Sequence, residues 1–113
     1  MQAEIQLKFN EIDYSLEILK KHIDWDNFIK KINKLSLLTE EQNFWNDTSK
    51  AQIIMKEKKQ LERLVDIITN IENQKNDLVE ILDLGEQEND MSLISDTIEE
   101  IDILVKKCIK LQL

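Results

Sequence analysis

His22 is the only histidine and Cys108 the only cysteine in this chain of 113 residues, so the side chains most used for acid–base, nucleophilic and soft-metal chemistry occur once each. Leucine, not glutamate, stands three residues before His22, so the Glu-x-x-His spacing of carboxylate-bridged metal bundles is missing. His22 is expected to be an exposed polar residue. Cys108 falls on an apolar stripe, where a free thiol packs as a small hydrophobe. The 23 aspartates and glutamates alternate with lysines at helical spacing, the pattern of solvated faces rather than of a paired acid and base. A single glycine, Gly85, leaves no glycine-rich phosphate loop, and no serine or cysteine has histidine and carboxylate partners in a triad-like arrangement. The expectation is a chain that is not an enzyme, with no catalytic residue, no metal site and no cofactor.

Binding is the chemistry that remains. Lys56, Lys59 and Arg63 follow one another at steps of three and four, which places them on one helix face, suited to an acidic protein surface or an RNA phosphate. Glu57, Glu62 and Asp66 dilute that stripe. Phe44 and Trp45 directly precede Asn46 and Asp47, two good N-cap residues, so the aromatics are expected to form a packed corner against the first turn of the next helix. The formal charge of −8 opposes binding to DNA unless lysines gather on one face. No apolar run approaches the roughly 20 residues of a membrane span, and no basic and apolar leader opens the chain. A cytoplasmic protein is expected, in which the sequon Asn46-Asp47-Thr48 carries no glycan.

The elements that position these residues are helices. Proline is absent, and apolar residues make up 42% of the chain. Ile5, Phe9, Ile12, Leu16, Leu19 and Ile23 step by fours and threes, the seam of a helix over about 3–23. The phase slips at Ile23-Asp24-Trp25-Asp26, which predicts a bend or break near Asp24, with Asp24 as a cap. The stripe resumes over 25–38 through Trp25, Phe28, Ile32 and Leu35. Thr39 and Gln42 have the form of a capping box. A long helix over 48–84 reads Ala51, Ile54, Leu61, Leu64, Ile68, Ile71, Leu78 and Leu82, with Lys58 and Lys75 interrupting, and is expected to end on Gly85 as a left-handed C-cap. Asp90 or Ser92 caps a last helix over 91–111, whose seam runs Met91, Ile94, Ile98, Ile101, Val105 and Cys108. Short connections imply antiparallel neighbours. The predicted fold is all-α: an elongated antiparallel helical bundle with coiled-coil-like packing, one domain over 1–113, with three main helices and the first broken near Asp24.

The run Phe44-Trp45-Asn46-Asp47, then Ala51-Gln52, then Lys56-Glu57 with Leu61, resembles in residue type and spacing the N-terminal domain of the bacterial peptide chain release factor 2 family. Ile23-Asp24-Trp25-Asp26 is similar to that family's Leu-Asp-Tyr-Asp. Release factor 1 lacks the tryptophan motif. The family's Ser-Pro-Phe codon-reading tripeptide and Gly-Gly-Gln hydrolytic loop have no counterpart in a chain with no proline and one glycine. The resemblance therefore implies a first domain of a longer factor acting at UGA and UAA codons. It implies as partners the ribosome, at the large-subunit stalk base, and the class II release factor GTPase. The isolated domain is expected to be a monomer. The rival expectation is an unrelated cytoplasmic coiled-coil adaptor whose seams pair between chains.

Overall fold

A computed structural model describes residues 1–112. Four α-helices, α1 (Ala3–Ile23), α2 (Trp25–Thr39), α3 (Thr48–Gln87) and α4 (Met91–Gln112), are joined by turns, one of them a 3-10 turn at Phe44–Asn46, with no strand among the described residues. The fold is an all-α helical bundle. Its tertiary contacts fall into two units: Met1–Lys20 with Thr69–Leu113, and Lys21–Ile68.

The first unit is a three-helix bundle. Met1, Asp13 and Lys20 pair with Glu86, Lys75 and Glu72, so numbers rising along α1 meet numbers falling along α3, and the two helices are antiparallel. Lys8 bonds Asp102 at 2.8 Å and Ile5 lies beside Ile94 and Ile98, so α1 and α4 run parallel. The hydrogen bond to Asp102 holds the Lys8 ammonium above its ordinary pKa. Ile5, Phe9, Ile12, Leu16, Ile71, Leu78, Leu82, Ile101, Leu104 and Cys108 fill the core. Full burial of one such aliphatic side chain contributes on the order of 1.5–3 kcal/mol. Burial also pushes the Cys108 thiol pKa up, which keeps it neutral. Lys75 buries its stem and turns its ammonium to Asp13, which is how a lysine occupies a seam position.

The α4 seam differs from the predicted one at three residues. Met91 is 74% exposed, and Thr97 and Leu104 are buried in its stead. The Thr97 hydroxyl donates to the Leu93 carbonyl at 2.6 Å, so a polar residue enters the core already satisfied.

The α3 terminus corrects a second expectation. Gly85 is not a left-handed cap: it lies inside α3, and the positive φ belongs to Asn89, at 51°. The Asn89 N–H donates to the Glu86 carbonyl and the Asp90 N–H to the Gly85 carbonyl, the paired bonds of a Schellman ending with asparagine as its left-handed residue. Gly85 serves close approach instead. A Cβ there would stand 3.0 Å from Cγ1 of Ile94, so α4 crosses where α3 has no side chain. Asp90 then caps α4, its Oδ1 accepting from the Leu93 N–H at 3.0 Å.

The second unit pairs α2 with the first part of α3. Lys31, eight residues before α2 ends, bonds Glu57, nine after α3 begins, so the two run antiparallel. Leu35, Ala51 and Ile68 are buried, while Phe28, Ile32, Ile54, Leu61 and Leu64 are half-buried. Asp24 alone interrupts α1 and α2, in the left-handed region at φ 55° and ψ 70°. Its side chain accepts from the Asn27 amide and caps no backbone N–H, contrary to the predicted role. Asparagine and aspartate tolerate this conformation better than other non-glycine residues. Thr39 heads no capping box: it ends α2, its hydroxyl donating to the Ser36 carbonyl at 2.6 Å.

Candidate interaction surface

No three His, Cys, Asp or Glu side chains converge in a way that could hold a metal among the described residues, and His22 is exposed. The same residues contain no helix long and apolar enough to cross a membrane. What the chain presents is surface, and charge is the property that differs most across it. Lys21–Ile68 holds nine basic and eight acidic side chains, a net of +1, whereas the other unit holds six basic and fifteen acidic, a net of −9. The overall −8 is therefore an average over two unlike units.

Within the near-neutral unit, the basic residues of α3 stand out because two of their three acidic neighbours, Glu57 and Glu62 but not Asp66, are engaged. Glu57 is held by Lys31 across the hairpin at 3.0 Å, and Glu62 by Lys58 one turn away at 3.3 Å. Lys56, Lys59 and Arg63 are exposed and carry no ion pair among the described residues. Lys56 and Lys59 line a surface concavity with Met55, Lys58 and Glu62. The dilution expected from Glu57 and Glu62 is thus reduced by two pairings. The one between Lys58 and Glu62 is readable from their spacing, while the one between Lys31 and Glu57 appears only once α2 folds onto α3. The three unpaired cations sit on a rigid helical ledge, an arrangement that receives anionic oxygens without first breaking an internal pair.

The aromatic corner starts this ledge in a different way from that predicted. Asp47 Oδ1 accepts from the Lys50 N–H at 3.1 Å, which makes Asp47 the N-cap of α3. Asn46 belongs to the preceding 3-10 turn and reaches Asn43. Trp45 is 59% exposed, so it is not packed against the helix, and the buried residue of the first turn is Ala51. Phe44, half-buried, meets the Trp45 ring edge to face, with centroids 4.9 Å apart and planes at 87°. A 3-10 turn tightened by the Phe44 N–H to Glu41 carbonyl bond carries the indole outward. An exposed tryptophan in the turn that leads into α3 offers area for a partner at small entropic cost, since only two side-chain torsions are fixed.

Comparison with known proteins matches residues 28–113 to the PCRF domain. A protein of Paramagnetospirillum magneticum named Peptide chain release factor 2 is 33% identical over 113 residues, all of this chain and 30% of the relative. The protein of the same name from a Ruegeria species is 28% identical over 113 residues, again 30% of its length. That of Rickettsia typhi is 29% identical over 90 residues. The chain thus spans under a third of the length of these curated relatives.

Proposed function

Because the chain belongs to the PCRF domain family, we propose that it is the N-terminal interaction domain of a class I translation release factor, of the factor 2 kind that acts at UGA and UAA codons. In this reading the chain lends surface and supplies no reacting group. Codon reading and hydrolysis of peptidyl-tRNA fall to parts of the factor that this chain does not span. The observation that carries the reading is a match over all 113 residues, at 33% identity, to a relative named Peptide chain release factor 2. The unrelated-adaptor alternative has no such support.

The proposed partners are the large ribosomal subunit, at its stalk base, and the class II release factor GTPase, both met in the cytoplasm. The exposed Lys56, Lys59 and Arg63 supply the cations for ribosomal phosphates or for an acidic face of the GTPase, with the exposed Trp45, in the turn that precedes α3, as a separate apolar contact. Three phosphate contacts imply a weakening of roughly 40-fold between about 50 and about 200 mM salt.

Co-sedimentation with isolated ribosomal subunits tests this. The chain is expected to pellet with the large subunit at low salt, and Lys56→Glu, Lys59→Glu and Arg63→Glu together are expected to abolish pelleting while leaving the helical circular dichroism intact. In excess, the wild-type chain should also slow release by an intact factor 2 at a UGA codon. Pelleting unchanged by the triple reversal would reject the basic face. Failure to pellet together with no effect on release would reject the termination role.

A further inference from the structure

The first unit has a side that α1 leaves open. α1 reaches α3 through Glu72, Lys75 and Glu86 and α4 through Asp102, and none of these four lines the open groove that Leu78, Ile81, Ile103 and Leu104 form between α3 and α4. Leu78 and Leu104 are buried and make the floor, whereas Ile81 is 39% and Ile103 62% exposed. Leu84, 50% exposed and three residues after Ile81, extends the apolar strip toward the end of α3. A strip of large apolar side chains along a groove is the usual mark of a surface that a partner covers.

The rim of this groove is acidic. Asp77 of α3 and Glu100 of α4 line it, and Asp96, four residues before Glu100, stands on the same side of α4. Against these the lining residues set one base, Lys107. The three carboxylates are exposed, and none forms an ion pair among the described residues. The dipole of α4 accounts for acids early in that helix, but in α3 it works the other way. Beyond Lys75, α3 carries Asp77, Glu80, Asp83 and Glu86 and no base, so acids gather at the end where its own dipole disfavours them. The start of α4 lies against that end, with Ile94 beside Gly85, so its early acids add to the same potential. α3 gains nothing from this placement, and a cationic partner does.

We propose that the groove between α3 and α4 receives a cationic amphipathic helix of a protein partner. The apolar residues of that helix, at steps of three and four, enter between Ile81 and Ile103 and cover Leu84, while its lysines and arginines reach Asp77, Asp96 and Glu100. A fourth helix in this position completes the three-helix unit as a four-helix bundle. From Gln74 to Leu84 the wall of α3 runs about 15 Å, or about three turns. A helix of that length is marginal in water, so the partner's segment orders as it binds. RNA and anionic lipid are repelled by the same carboxylates. The groove therefore selects the opposite charge from Lys56, Lys59 and Arg63, and it serves a second partner.

The probe is a synthetic peptide of about 18 residues with leucines at heptad a and d positions and lysines flanking them. It is titrated into the isotope-labelled 113-residue chain at about 0.1 M salt, which screens distant charges, and binding is followed by amide chemical shifts. Shifts should concentrate at Asp77, Ile81, Glu100 and Ile103, with a dissociation constant on the order of 10–100 μM for so small an interface. Ile81→Ser with Ile103→Ser should weaken binding about tenfold or more, and so should Asp77→Lys with Glu100→Lys. Glu4→Lys with Glu11→Lys, the same charge change about the exposed Leu7 of α1, should weaken it less than about threefold. A scrambled peptide and one with glutamates in place of the lysines should leave the groove unshifted. Circular dichroism establishes that each variant remains helical, and should one lose helix, the shift map of the wild-type chain decides alone. Shifts spread evenly over the acidic surface, equal weakening by the α1 pair, or binding of the glutamate peptide would overturn the proposal. So would the same shifts produced by an RNA oligonucleotide, or by raising the concentration of the chain alone, which would seat a second copy in the groove.

Discussion

Two isoleucines of α4, two residues apart, give the sharpest measure of the helix faces. Ile101 is fully buried, at 0% exposure, and Ile103 points outward at 62%. Replacing either by alanine makes the same change in helix propensity, a gain of a few tenths of a kcal/mol. Ile101→Ala removes three carbons from a closed core and leaves a cavity, for which Ile to Ala changes cost about 2–5 kcal/mol. Ile103→Ala falls on a surface, where substitutions stay within about 0.5 kcal/mol. Taking about 3 kcal/mol for the difference, the two variants differ more than a hundredfold in unfolding constant, and by about 10–20 °C in melting temperature for a domain of this size. Urea and thermal melts followed by far-ultraviolet circular dichroism measure both. Agreement of the two variants within about 1 kcal/mol, with unchanged urea slopes, would refute the assignment of faces and with it the three-helix core.

Asp90→Ala should cost about 1 kcal/mol by uncapping α4, read as a drop of several degrees in melting temperature, while Asp90→Ser should retain most of the stability. At the α3 terminus, Asn89→Gly should be neutral or stabilising and Asn89→Val should cost about 1–2 kcal/mol, because the left-handed backbone penalises a β-branched residue; the same melts compare them. Gly85→Leu should cost about 1–3 kcal/mol by driving a side chain into Ile94, measured by urea denaturation. For Cys108, burial raises the folded pKa, so above the ordinary thiol value of about 8.5 the unfolded state holds fewer protons than the folded one and stability falls as pH rises. That stability is present in full below the ordinary value. Cys108→Ala should remove this component of the alkaline slope, and maleimide labelling of the wild type should wait for unfolding.

The helices were legible because the apolar stripes of α1 and α3 keep their phase for many turns, and Asp24 broke the phase where the backbone breaks. What escaped the sequence depends on neighbours. Gly85 and Asn89 are both acceptable left-handed residues, and only the arrival of Ile94 against Gly85 decides between them. Thr97 reads as polar, yet its hydroxyl is satisfied by its own helix, so it can be buried. Met91 fits the spacing of the α4 seam but sits at the helix start, where no second layer covers it. The rule for residues before a cap would pack Trp45, but the 3-10 turn that sets its direction is fixed by backbone bonds that no residue type announces. The spacing of Lys56, Lys59 and Arg63 was visible, whereas the removal of Glu57 from their field waited on Lys31 of α2.

Both tryptophans, Trp25 and Trp45, belong to the Lys21–Ile68 unit, and the rest of the chain has none. The protein therefore carries an optical label on one of its two units. Indole fluorescence follows that unit alone, with iodide quenching the outward Trp45 first, whereas ellipticity sums over every helix. A melt in which the emission shift runs ahead of the ellipticity would show the paired helices coming apart before the three-helix bundle, without any dye or engineered probe.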